Sequence, residues 1–124
     1  MAAAPTVRGL RGATTVEEDT VSQVTERSQE LMHALMESNG LVEDDIISVL
    51  FTATGDVTST FPATAIRGIG FGAVPLLCAA EIAVPGSMPR CIRVLMHVHT
   101  SKSRDEIKHV YLHGAQGLRD DLPG

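Results

Sequence analysis

Arg90-Cys-Ile-Arg-Val-Leu-Met-His-Val-His-Thr100 is the most informative stretch of the chain. β-branched and long apolar residues recur in it without a helical period, which predicts a strand. Side chains alternate across a strand, so Ile92, Val94, Met96 and Val98 share one face. That face is wholly apolar and is expected to meet a layer of helices. Cys91, Arg93, Leu95, His97 and His99 share the other. An arginine in mid-strand has poor access to water, and burying its charge alone is costly. Arg93 is therefore expected to hold a carboxylate partner or an anionic ligand.

Working outward, 124 residues predict a single domain over 1–124 with a real hydrophobic core. Phe51, Phe61, Phe71 and Tyr111 are the four aromatic residues, so aliphatic side chains must build that core. A net charge of −5 offers no electrostatic footprint for nucleic acid. No apolar run approaches the ~18 residues of a membrane span, and a cytoplasmic protein is expected. Cys78 and Cys91 stand far apart, in no metal-like spacing, and read as free thiols. Residues 1–6 are expected to be a disordered lead and 120–124 a flexible tail.

Along the chain, Val7 to Ala13 predicts a first strand with Arg8 and Arg11 on opposite faces. Thr15-Val-Glu-Glu18 spells a capping box for a helix running to Asn39, stopped by Gly40, with Val21, Val24, Ser28, Leu31 and Leu35 inward. Ile46 to Thr54 predicts the second strand. Pro62 suits the first position of a short helix, on which Thr64 and Arg67 share a face. Ala73 to Val84 predicts a third strand, with Pro75 marking an edge or bulge. Ser103-Arg-Asp-Glu106 spells a second capping box, predicted to open a last helix with Ile107, Val110, Tyr111 and Ala115 inward. The pattern indicates an α+β (α/β-type) sandwich, one mixed sheet with helices on one face. The other face, bearing Arg93, is expected to meet another copy of the chain.

Glu81 interrupts an apolar run and can pair with Arg93 on a neighbouring antiparallel strand. A buried structural pair and a functional site look alike at this level. The glycines at 68, 70 and 72 follow a helix and enter a strand, the reverse of a dinucleotide fingerprint, and no phosphate-loop lysine is present. His97 and His99 share a strand face, and a metal would need a third ligand from Glu81 or Cys91; a packed histidine pair is the simpler account. No Gly-x-Ser-x-Gly supports serine catalysis. Arg11, Arg67, Arg93 and Arg119 sit on separate elements. With few buried carboxylates they suggest a small polyanionic ligand such as a dicarboxylate, with Tyr111 as a hydroxyl donor and Phe61 as an apolar wall.

Val-Arg-Gly-Leu-Arg-Gly-Ala-Thr-Thr (7–15), Phe-Pro-Ala (61–63), Val-Pro-Leu-Leu-Cys-Ala-Ala-Glu (74–81), Cys-Ile-Arg-Val (91–94), His-Val-Tyr-Leu (109–112) and Leu-Arg (118–119) stand in this order. Together they resemble the monofunctional, trimeric, bacterial α/β-barrel type of chorismate mutase, over nearly all of Val7 to Leu122. The resemblance implies a barrel-like homotrimer with active sites at subunit interfaces. It also implies rearrangement of chorismate to prephenate, in phenylalanine and tyrosine biosynthesis, with no metal or cofactor. By that resemblance Arg93 donates to the breaking ether oxygen. Arg11 and Tyr111 hold the side-chain carboxylate. Glu81 accepts from the ring hydroxyl, with Cys78 beside it. Phe61, Ala63 and Leu118 wall the pocket, and Arg67 and Arg119 serve the ring carboxylate at its mouth. Thr64 stands where a lysine is often found, and Leu77 where a polar residue precedes the cysteine. A non-catalytic binder of a dicarboxylate or amino acid, on the same trimer, is the alternative reading. A purely structural trimer with a buried Arg93–Glu81 pair is a third.

Overall fold

In the computed structural model the backbone is described for residues 4–121 and the side chains for residues 4–118. The elements run β1 (Thr6–Thr15), α1 (Val21–Asn39), β2 (Ile46–Ala53), α2 (Pro62–Arg67), β3 (Leu76–Ala80), β4 (Cys91–Thr100) and β5 (Val110–Tyr111). Short 3₁₀ segments cover Glu43–Asp45, Arg104–Glu106 and His113–Asp121. The strands form one mixed sheet in the order β3-β2-β4-β1-β5. β4 is antiparallel to both β1 and β2, whereas β3 runs parallel to β2 and β5 parallel to β1. The class is α+β.

The alternation in β4 is the one expected. Ile92, Val94, Met96 and Val98 are buried, together with Leu10 of β1 and Val49 and Phe51 of β2. α1 closes over them with Val24, Ser28, Leu31, Met32 and Leu35, and α2 adds Ala63 and Ile66. Gly12 lies under this layer because a Cβ there would stand 3.0 Å from both Leu35 Cδ1 and Val94 Cγ1. The opposite face carries Arg93, Leu95 and His99 in the open. Its one covered end is a small cluster of Ala13, Cys91 and Ala115, flanked by Met88, Tyr111 and Leu118.

Several local expectations fail for physical reasons. Thr15 does not cap α1; it ends β1, paired with Cys91, and its Oγ1 accepts the Gly114 N–H at 3.0 Å. The helix starts later, where Thr20 Oγ1 accepts from Gln23 N at 3.1 Å and Gln23 Oε1 reaches back to the Glu17 and Glu18 amides. Thr20-Val-Ser-Gln23 is thus the working capping motif, and Val21 is exposed rather than inward. Thr6 belongs to β1, opposite Thr100, rather than to a disordered lead. The 3₁₀ run extends to Asp121, and residues 1–3 and 122–124 lie outside the described residues.

The Ser103 box forms but opens only the turn Arg104–Glu106, with no last helix. Buried Asn39, at the end of α1, explains why. Its Oδ1 accepts from Lys108 N at 2.8 Å and its Nδ2 donates to Lys108 O at 2.9 Å. This clamp satisfies a strand-like backbone, and the following Val110 and Tyr111 then join the edge of β1. β3 is also shorter than expected, running from Leu76 to Ala80, with Pro75 joining β2 through its carbonyl alone.

Candidate active site

Residues directly opposite on neighbouring strands project to the same face. The registers therefore place Ala79, Thr52, Arg93, Ala13 and Tyr111 in one row across the whole sheet. The row lies on the face that α1 and α2 leave open. Arg11, opposite Leu95, is one diagonal step from Arg93 on that face. Arg93 and Tyr111 are two strands apart, a backbone separation of about 10 Å at ordinary strand spacing. Ala13 between them keeps that gap shallow.

Glu81 reaches the row from beyond β3. Its carboxylate Oε1 lies 3.1 Å from Arg93 Nε and accepts a 2.5 Å hydrogen bond from Thr52 Oγ1. The pair expected from the sequence exists, but not between adjacent antiparallel strands: β2 stands between β3 and β4, and Thr52 bridges the gap. Arg93 also reaches solvent, its side chain 45% exposed against 23% for Glu81. Within one chain this is therefore not a fully buried ion pair, and it adds little to stability. A guanidinium has five N–H donors. Engagement through Nε leaves the terminal donors for another acceptor. Below the row, burial pushes the Cys91 thiol up, against the lowering effect of Arg93, so this cysteine stays protonated.

Cys78 is not on the face of Arg93. It pairs with Phe51, on the helix-covered side, and its side chain packs against the main core. Its backbone does the opposite. Val49 N donates to Pro75 O and Glu81 N donates to Ala53 O, both at 3.0 Å. The two-residue period of the parallel ladder then turns the amides of residues 77, 79 and 81 toward β2. Those of residues 76, 78 and 80 turn to the free edge. The free edge at Cys78–Ala80 borders a cleft of about 470 Å³, with Thr54, Val57 and Phe61 on its other walls. Phe61 is 67% exposed and Leu77 66% exposed, two large apolar groups left in water by the single chain.

Ala63, expected in the pocket wall, is buried in the core on the inner face of α2. Thr64 and Arg67 stand exposed on α2, not gathered with Arg93. Leu118 and Tyr111 both pack against the cluster of Ala13, Cys91 and Ala115, and the buried Tyr111 hydroxyl has no hydrogen-bond partner among the described residues. The side chain of Arg119 lies outside the described residues. Arg11 lines a separate groove of about 300 Å³ with Arg8, Leu95, Arg104 and His109. His97 Nδ1 lies 3.2 Å from Ser48 Oγ on the same open face.

Two participants escape sequence reading. Thr52 is an ordinary strand threonine until the register sets it between Glu81 and Arg93. Asp19 lies just before α1 and holds the loop leading to Phe61. Its Oδ2 accepts from Thr58 N at 3.0 Å and Thr58 Oγ1 at 2.9 Å, and its Oδ1 accepts from Ser59 N at 3.1 Å. These bonds, the Thr58 amide first, pull its carboxyl down from 3.8 to about 2. A depressed carboxyl stabilises the fold above the unfolded value of 3.8 and loses that contribution as pH falls through about 2. Asp19→Asn is therefore expected to flatten the acid limb of stability over this range, checked by urea midpoints of both proteins at a series of pH values.

The chain can be compared with known proteins on this geometry. The family model for "Chorismate mutase type I" matches residues 7–122. Chorismate mutase AroH of Thermus thermophilus is 50% identical over 117 residues, covering 94% of this chain and 96% of that protein. Chorismate mutase AroH of Bacillus subtilis is 41% identical over 117 residues, covering 94% and 92%. The solved chorismate mutase from Clostridium thermocellum superposes with a TM-score of 0.87 at 49% identity, covering 89% of this chain and 98% of that one. Fold and sequence agree over nearly the full length, and the chain belongs to the type I chorismate mutase family.

Proposed function

We propose that the chain catalyses the Claisen rearrangement of chorismate to prephenate on the open sheet face, completed by a neighbouring copy in a homotrimer. The observation that carries this reading is the row joining Thr52, Arg93 and Tyr111, with the Glu81 carboxylate already held by Thr52 and Arg93. In the reaction an ether carbon–oxygen bond breaks as a carbon–carbon bond forms within one molecule. Negative charge grows on the ether oxygen, and the terminal donors of Arg93 are the groups to meet it. A fixed cation there stabilises the transition state more than the ground state. Arg11 and Tyr111 take the enolpyruvyl carboxylate and hold the chair conformer in which the reacting carbons meet. The buried Tyr111 hydroxyl, which has no partner among the described residues, suits this, since it needs an acceptor. Glu81 and the free Cys78 amide converge on the ring hydroxyl. Phe61 and Leu77 supply apolar wall, and Arg67 and Arg119 the outer cations.

A trimer accounts for what one chain leaves apart. Arg67 and Phe61 lie toward one edge of the sheet and Arg11 and Tyr111 toward the other, so a neighbour must bring the two sets together. It would also cover Leu77, Leu95 and Ile82, all exposed in the single chain. Sedimentation is expected to give a species three times the 13.2 kDa chain mass. Among the described residues no helix is long and apolar enough to cross a membrane, and we place the enzyme in the cytoplasm, with its substrate. The deciding experiment mixes purified protein with chorismate and a metal chelator and follows prephenate. Rapid conversion establishes the activity and removes a metal requirement together. An intact trimer that binds a transition-state mimic but leaves chorismate unchanged would instead make it a binding module.

A further inference from the structure

The parallel pairing of β5 with β1 contains an irregularity at Arg11. Leu112 N donates to Ala13 O at 2.9 Å, which sets the ladder period between the two strands. Two residues earlier, a regular ladder would give the Arg11 amide the carbonyl of Lys108. That carbonyl is already used by Asn39 Nδ2. The Arg11 N–H instead donates to Nδ1 of His109, at 2.9 Å. An imidazole nitrogen accepts only when it carries no proton, so the ring is neutral with its hydrogen on Nε2.

We propose that His109 is a positioning residue for Arg11, its unprotonated Nδ1 standing in for the missing ladder carbonyl and fixing the backbone from which Arg11 reaches the substrate. The inference rests on the reading that Arg11 binds a chorismate carboxylate. Protonation of His109 would remove the acceptor and set a cation against the Arg11 amide. The surroundings oppose that change. β1 contributes Arg8 and Arg11 to the groove, and the turn before β5 contributes Arg104. Among the described residues, β4 contributes only Leu95 and no carboxylate is in the lining. Desolvation first, and the Arg11 charge second, push the His109 ring below its ordinary value of 6.5. The bond is thus intact at neutral pH and lost as pH falls through the lowered value.

The test compares wild type, His109→Asn, His109→Leu and Arg11→Ala between about pH 5 and 8, reading KM and kcat separately. The Asn carboxamide oxygen can occupy the Nδ1 position and does not titrate. Wild-type KM is expected to rise at the acid end more than kcat falls, because the chair conformer is already held in the bound ground state, where the clamp acts as it does in the transition state. His109→Asn should stay within about threefold of the wild-type neutral KM and lose the acid rise. His109→Leu should raise KM about three- to tenfold at every pH, the scale of one lost hydrogen bond. Equal KM profiles in wild type and both His109 variants would overturn the proposal. An NMR coupling across the hydrogen bond from Arg11 N–H to His109 Nδ1 reports the bond without any substrate. Its absence overturns the positioning role whatever the kinetics. If the coupling is present but Arg11→Ala leaves KM unchanged, the role given to Arg11 has failed, and the proposal falls with its premise.

Discussion

Arg93→Ala is expected to lower kcat by at least about 10²-fold, the scale for removing one fixed donor from developing charge. The size of the effect follows from where the side chain is anchored. Arg93 leaves the central strand near its start, with β1 and β2 hydrogen-bonded on either side. Its Nε is held by Glu81, whose carboxylate is fixed in turn by Thr52. On the proposed reading, the terminal donors are thus preorganised before the substrate arrives. Arg93→Lys should recover little. An ammonium is a single point of charge, and one nitrogen cannot hold Glu81 and meet the ether oxygen with fork geometry. Stability should change little in either variant, because the pair is partly exposed and Glu81 keeps its bond from Thr52. Steady-state kinetics with urea midpoints on the same samples check both statements. A kcat within about threefold of wild type would remove Arg93 from the ether oxygen.

How far the sequence could be read depends on the range of the interaction involved. The β4 alternation is local, and its two faces come out as written. So do α1 with its Gly40 stop, the Pro62 start of α2 and the edge position of β3. Capping boxes are local too, yet both misled. Thr15-x-x-Glu18 and Thr20-x-x-Gln23 follow one another with only Asp19 between them, and the pairing of Thr15 with Cys91, a contact across the sheet, decides between them. The box at Ser103 forms a single turn, and the Asn39 clamp on Lys108 then draws the chain out as a strand. The site shows the same division. Glu81 and Arg93 stand out because charge is rare in apolar runs. Thr52, Asp19 and His109 do not, since each acts through a partner 29 to 98 residues away. Cys78 is informative for the opposite reason. Its block carries the resemblance, but register assigns the thiol to the core and leaves the backbone amide for the site.

Phe51→Ala is expected to destabilise the chain by about 3–5 kcal/mol, while the adjacent Thr52→Val costs little stability and impairs turnover. The contrast follows from strand alternation alone. Phe51 is fully buried on β2, between Cys78 on one side and Val94 on the other, under the helices. Truncating it removes the largest fully buried side chain and leaves a cavity that a five-stranded sheet cannot close by moving one strand. Thr52 faces the opposite way and keeps nearly the same shape as valine. What it loses is the 2.5 Å bond to Glu81 Oε1. The carboxylate then swings on Arg93 alone, and kcat/KM should fall about tenfold, the range of one hydrogen bond to a charged group. Urea titration of both variants beside wild type reads the first effect, and chorismate turnover the second. Loss of stability in Thr52→Val comparable to that in Phe51→Ala would mean that the open face is itself packed core. The Arg93–Glu81 pair would then be a structural element, and the role given to that face in catalysis would fall.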